Sequence, residues 1–227
     1  VQGLRPKVRL AVALGALAAI CCVGVAAATV TVYTNDFSKK GEFKELRKTG
    51  GKHCDSNYRG KKEVARLKVS HAPEVCGFEP PVAGDNPQPD HIFQAQGKLA
   101  KSTKKQARKK AFLFVEARVG GKAFYELRIF PKTHKFKLKR VPSGGAFPMG
   151  GTDNKVHGVG DKNKLRLKVI GNDIKGIVNG KTVASVTDAN ANQVKGKKLE
   201  FGAGNTSKTN KPTEAIFNSV RLGVPNA

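Results

Sequence analysis

Glu116 and Glu126 flank a Gly120-Gly121 turn inside the alternating stretch from Phe112 to Phe130. Two carboxyls facing one cavity can cleave a glycosidic bond, at about 5 Å apart with retention and at wider spacing with inversion. A three-residue loop at Gly120 to Lys122 puts the pair opposite each other on one face. A two-residue loop makes Glu116 face Tyr125 instead. Arg118 and Arg128 lie beside them, and charge pairing within a sheet accounts for the same residues without catalysis.

The second chemistry is electrostatic. The chain of 227 residues carries 42 Lys and Arg against 17 Asp and Glu, a formal net charge of +25. Alternation puts Lys135, Lys137 and Lys139 on one face of a strand, Lys164, Arg166 and Lys168 on one face of another, and Arg128 on a third. If these strands are neighbours, they pave one face with cations. Such a face attracts polyanions by counterion release, with a steep dependence on salt. A separate basic cluster runs from Lys98 through Lys101, Lys104, Lys105, Arg108 and Lys109 to Lys110. The plainer alternative is a solvated surface whose lysines discourage sheet-to-sheet aggregation.

The first 28 residues differ from the rest. Arg5, Lys7 and Arg9 precede an uncharged run from Leu10 to Ala28 that ends in Ala26-Ala27-Ala28. A basic lead, an apolar centre and a small-residue exit make a secretory signal, with an uncleaved membrane anchor as the alternative. Either reading predicts residues 29–227 as a secreted or cell-surface domain, attached to a membrane only if the segment is retained. Ile20 before Cys21 argues against lipid attachment. In the exported part Cys54 and Cys76 are the only cysteines. An even count there reads as one disulfide, which closes a loop of about 20 residues and contributes about 3 kcal/mol. Metal ligation with His53 and His71 is the alternative, although the spacing fits no zinc pattern. An extracytoplasmic domain makes polysaccharides and anionic cell-surface polymers the expected partners, ahead of nucleic acid.

The elements that must position these residues are short strands. Glu63 to Val69, Phe112 to Val119, Lys135 to Val141 and Leu165 to Val169 alternate with period two, Ala28 to Tyr33 is apolar and β-branched, and Ala123 to Phe130 is the strand after the Gly120-Gly121 turn. Gly171-Asn172 and Asn179-Gly180 are hairpin turns leading into Ile174 to Val178 and Thr182 to Val186. Leu199 to Gly202 and Ala215 to Leu222 close the domain, and His91 to Ala95 is a further candidate strand. Residues 38 to 60 carry no clear pattern. Pro73 to Pro89 and Pro142 to Gly160 read as loops, and Lys98 to Lys110 as a surface helix or an open loop. Roughly ten short strands without helical periodicity after the leader predict an all-β sandwich or barrel.

The stretch from Lys164 through Ile174, Val178-Asn179-Gly180 and on to Asp188 resembles the core of concanavalin A-like lectin/glucanase jelly rolls. The likeness is narrower to the laminin-G-like and 3-keto-disaccharide-hydrolase-like branches. Asn35-Asp36-Phe37 resembles their opening strand, Phe124 to Arg128 an aromatic strand, and Phe217 to Leu222 the final strand. The resemblance implies a two-sheet antiparallel β-sandwich, preceded here by the N-terminal signal or anchor helix. It implies sugar binding or glycoside cleavage as the activity, though the fold also hosts inert spacers. Tyr125 is then a candidate aromatic contact for sugar. Calcium is the one cofactor implied, with Asp36, Asn35 and Asn218 as oxygen donors. A turn cap is the simpler role for Asp36. The chain departs from the pattern in having no Trp, and in lacking the glucanase Glu-x-Asp-x-Glu strand. These readings favour a non-catalytic binding module, with a hydrolase and a structural spacer as the alternatives.

Overall fold

The computed structural model describes residues 29–60, 64–81, 90–207 and 212–225. The leader, and with it the signal-or-anchor expectation, lies outside the described residues.

Two antiparallel sheets pack face to face. One contains β1 (Thr29–Asn35), β3 (Cys54–Arg59), β4 (Val64–Val69), β6 (His91–Leu99), β11 (Asn163–Ile170), β12 (Asp173–Val178), β13 (Lys181–Thr187) and β15 (Thr213–Pro225). Its order is β13-β12-β11-β6-β15-β4-β3, and β1 pairs with the last part of β15. The other sheet contains β2 (Arg47–Gly50), β5 (Glu74–Glu79), β7 (Ala111–Gly120), β8 (Ala123–Phe130), β9 (Lys135–Val141), β10 (Met149–Thr152) and β14 (Lys198–Asn205). Its order is β10-β9-β8-β7-β14-β5-β2. Two helices of about one turn, α1 (Lys40–Lys44) and α2 (Lys105–Arg108), sit in connections.

Alternation builds the core. Leu165, Leu167 and Val169 of β11, Phe93 and Ala95 of β6, and Phe217 of β15 meet Leu113, Val115, Leu127, Leu138 and Phe201 of the facing sheet, all within one buried cluster. The period of two sends apolar residues inward and polar ones outward. Asn179 and Gly180 both have positive φ, at 48° and 88°, the conformation that a two-residue hairpin needs between β12 and β13. Cys54 of β3 and Cys76 of β5 form a disulfide with their Cα atoms 5.6 Å apart. The bridge staples one sheet to the other. His53 and His71 stack beside it with ring centroids 4.2 Å apart.

Two sequence expectations change, and a stretch without a pattern gains structure. The stretch Pro73 to Pro89, read as loop, contains β5, because Val75, Cys76 and Phe78 find partners on β14. Pro142 to Gly160 contains β10, paired with β9. Residues 38 to 60 hold α1, β2 and β3. These strands are short, and are held by cross-strand neighbours that no local pattern announces.

Candidate functional site

Two outward faces carry the polar residues singled out above. On the seven-stranded sheet, Glu116 stands directly opposite Glu126 of β8 and also opposite Glu200 of β14. The next partner of Glu126 is Lys139 of β9. A row of three carboxyls and one ammonium therefore crosses four strands. Directly opposed residues hold their Cβ atoms about 5 Å apart. The register comes from a bulge. The turn has two residues, with Gly120 paired to Ala123, and one extra residue at Arg118–Val119 restores the Glu116–Glu126 pairing. Arg118 adopts φ 51° there. Its guanidinium leaves the carboxyl row, with Nη2 donating to Gly171 O at 3.1 Å.

Glu126 is buried and held by two cations, with Arg128 Nη2 at 2.7 Å and Lys139 Nζ at 3.0 Å. Arg128 in turn lies 3.6 Å above the Phe112 ring, a cation–π contact. Burial pushes the Glu116 carboxyl up to about 9, helped by the charges of Glu126 and Glu200. Glu116 is therefore neutral at pH 7 beside an ion-paired Glu126. Burial also raises Glu200, while the Thr49 hydroxyl donating at 2.5 Å opposes the shift. Phe112 and Phe114 are buried on this same face, with their rings over Gly204 and Gly202 of β14. Lys135 and Lys137 stand exposed at its β9 side.

Lys164, Arg166 and Lys168 lie elsewhere. They project from β11, in the eight-stranded sheet, so the expected single cationic face combining them with Lys135, Lys137, Lys139 and Arg128 does not form. The chain between Val141 and Asn163 crosses from one sheet to the other and turns the two lysine stripes to opposite sides of the sandwich. On the eight-stranded sheet the β11 cations find different neighbours. Arg166 pairs with Gln94 of β6, which pairs with Arg221 of β15. Lys98 of β6 and Arg66 of β4 extend the field. The carboxylate of Glu214 there is held by Arg66, at 2.5 and 2.8 Å.

Tyr125, expected as a sugar contact, is fully buried, and its hydroxyl donates to Asp188 Oδ2 at 2.8 Å. It faces inward because it pairs with Ala117, a core position. Asp36 Oδ1 accepts the Ser38 N–H at 3.0 Å, and Asn35 Oδ1 accepts that of Phe37 at 2.9 Å. Both oxygens cap the turn after β1. No group of three or more His, Cys, Asp or Glu able to hold a metal occurs among the described residues. Sequence reasoning missed Glu200, Gln94 and Arg221. Val220 and Leu222 on either side mark Arg221 as outward, although a bulge between Phe217 and Ser219 shifts the phase from Phe217, and nothing local reveals which strands flank it.

No protein-family model matches the chain, and no curated protein matches it. Solved structures do. A protein of unknown function with a galectin-like fold from Bacillus subtilis superposes with a TM-score of 0.59 and 12% identity, covering 86% of this chain and 97% of that one. A transglycosylase in complex with NAG gives 0.59 at 13% identity, over 88% and 86% of the two chains. The β-glucanase of Bacillus licheniformis gives 0.55 at 13% identity, over 84% and 96%. Taken with the two antiparallel sheets, these likenesses show the fold of the chain to be the concanavalin A-like jelly roll.

Proposed function

We propose that this domain is an extracytoplasmic, non-catalytic binding module for polysaccharide or anionic cell-surface polymer. The observation that carries the reading is the position of Lys164, Arg166 and Lys168 on β11, an interior strand with β6 and β12 on its two sides. Lysines on an exposed edge strand guard against edge-to-edge pairing. An interior strand has no open edge to guard, so that explanation does not reach these cations. Structural neighbours that include a β-glucanase and a transglycosylase bound to NAG support carbohydrate as the ligand class. The disulfide supports an oxidising compartment. The test is retention of the purified protein on immobilised acidic and neutral glycans at low and physiological salt. Binding to acidic glycans falls steeply with salt. The triple change Lys164→Ser, Arg166→Ser, Lys168→Ser lowers the slope of log affinity against log salt by roughly one for each contact removed. Equal retention of wild type and triple variant would remove β11 from the working surface.

One observation favours a second reading, glycoside hydrolysis: a neutral Glu116 stands beside the ion-paired Glu126, an acid next to a carboxylate. It requires polysaccharide turnover that disappears in both Glu116→Gln and Glu126→Gln. A protein that folds, binds no glycan and cleaves none is a structural spacer.

A further inference from the structure

The outward side chains of β6 are Ile92, Gln94, Gln96 and Lys98, and they run along the middle of the eight-stranded sheet. Each one lines a depression. Ile92 and Gln94 border a hollow of about 140 Å³ together with Arg166 and Arg221. Gln96 borders one of about 400 Å³ with Lys162, Lys164, Arg166 and Ile177. Lys98 borders one of about 220 Å³ with Arg59 and Ile216. Arg166 belongs to the first two hollows. Ile92 to Lys98 covers about 20 Å of strand, and from this line the second hollow reaches over β11 to Ile177 of β12 and the third over β15 to Val64 of β4.

Two of the three arginines of this trough, Arg166 and Arg221, are positioned without being neutralised, while the third, Arg59, lies 4.0 Å from the Glu214 carboxylate. Gln94 Oε1 accepts from Arg166 Nε at 3.2 Å and Nη2 at 2.9 Å. Thr31 Oγ1 accepts from Arg221 Nε at 2.8 Å. Both acceptors are uncharged. A guanidinium oriented by a neutral acceptor keeps its full charge, with the rest of its fork directed elsewhere. The contrast lies one strand away, where Arg66 is held by the carboxylate of Glu214. Along β6, along Lys164 to Ile170 of β11, and along Ile216 to Gly223 of β15, there is no acidic residue.

Resting on the binding reading above, we infer that this trough takes one extended chain of a linear acidic polysaccharide running along β6. The guanidiniums of Arg166 and Arg221 meet its carboxylate or sulfate groups as planar forks. The amides of Gln94 and Gln96 serve its hydroxyls, and Ile92, Ile177 and Ile216 contact its apolar ring faces. The distance from β11 to β15 is two strand spacings, about 10 Å, which admits one chain. The residues lining the trough include no Phe, Tyr or Trp and one His, His157, so the row of stacking platforms on which single-stranded nucleic acid depends is missing.

The test measures affinity of the purified protein for polygalacturonate, for heparin and for single-stranded DNA, at low and physiological salt. Three proteins are compared: wild type, Arg166→Ser/Arg221→Ser, and Lys135→Ser/Lys137→Ser on the opposite face. The expected result is at least tenfold weaker binding of polygalacturonate or heparin by the arginine variant, and less than twofold change in the lysine variant. The uronate and sulfate arms identify which anion is read. Binding lost only in the lysine variant overturns the trough and leaves the binding function standing. DNA bound as tightly as either glycan overturns the acidic-polysaccharide occupant. No binding of any polymer by wild type removes both the function and the trough. Lysine acetylation of wild type, with and without polygalacturonate, locates the bound polymer independently of variant folding. Protection of Lys164 and Lys98 but not of Lys135 and Lys137 supports the trough, and the reverse pattern overturns it.

Discussion

Glu116 and Glu126 face each other across β7 and β8 because the bulge at Arg118–Val119 absorbs one residue between the turn and the pair. Without that residue Glu116 changes partner, since a one-residue slip exchanges the two faces of a strand. The bulge therefore sets the carboxyl row and also re-aims Arg118 towards Gly171.

That row makes stability depend on pH with a definite sign. Glu116 is raised from its ordinary value of 4.5 to about 9, first by burial and then by the charge of Glu126. Between those values the folded protein holds a proton that the unfolded chain has released, so stability falls as pH rises across that window. Glu200 is shifted the same way and adds to the loss. Urea unfolding at pH 5, 7 and 9 is expected to show this decline. Glu116→Gln, neutral at every pH, flattens it and stabilises the protein most at pH 9. An unchanged slope in the variant would show that Glu116 ionises normally.

Asp188 joins three elements in the interior. Arg140 Nη1 donates to its Oδ1 at 2.8 Å, Tyr125 Oη to its Oδ2 at 2.8 Å, and the Asn190 amide to Oδ1 at 3.0 Å. Removing one partner of a buried ion pair costs about 3–5 kcal/mol because the other charge is left unpaired. Asp188→Ala is expected to lose stability on that scale in urea unfolding. Tyr125→Phe loses a single hydrogen bond to a charged group, about 1.5–3 kcal/mol, and leaves polymer affinity unchanged because the ring is buried.

The disulfide spans a sequence separation of 22 residues and ties β3 to β5 across the sandwich. Loop closure of that length contributes about 3 kcal/mol. Cys54→Ser/Cys76→Ser is expected to lower the urea midpoint accordingly, and a reducing agent should shift wild type by a similar amount while leaving the variant where it is.

Gly202 lies on β14 where an added Cβ would meet the Cys76 carbonyl, Gly77 Cα and the Phe114 ring. Two of these are backbone atoms that cannot swing away. Gly202→Ala is expected to cost about 1–3 kcal/mol from overpacking. Gly121→Ala makes a useful comparison, since the space around Gly121 is open and only its positive φ of 57° opposes a side chain. Thermal unfolding of the two variants separates the steric cost from the backbone cost.

By itself the sequence determined the side of each strand that alternates. Lys164, Arg166 and Lys168 had to oppose Leu165, Leu167 and Val169, because the side-chain period is two and only one face is apolar. Asn179-Gly180 determined a hairpin, because both positions require positive φ. The even cysteine count after the leader predicted the Cys54–Cys76 disulfide. Only the tertiary structure decided which strands are neighbours. It placed the lysine stripes of β9 and β11 in opposite sheets, brought Glu200 to Glu116 over 84 residues of chain, and set Arg221 beside Gln94 and Arg166. Each of these relationships is a pairing between segments distant in sequence, chosen by how two sheets close on a shared core. Local alternation constrains the face a residue takes and leaves open the strand it meets.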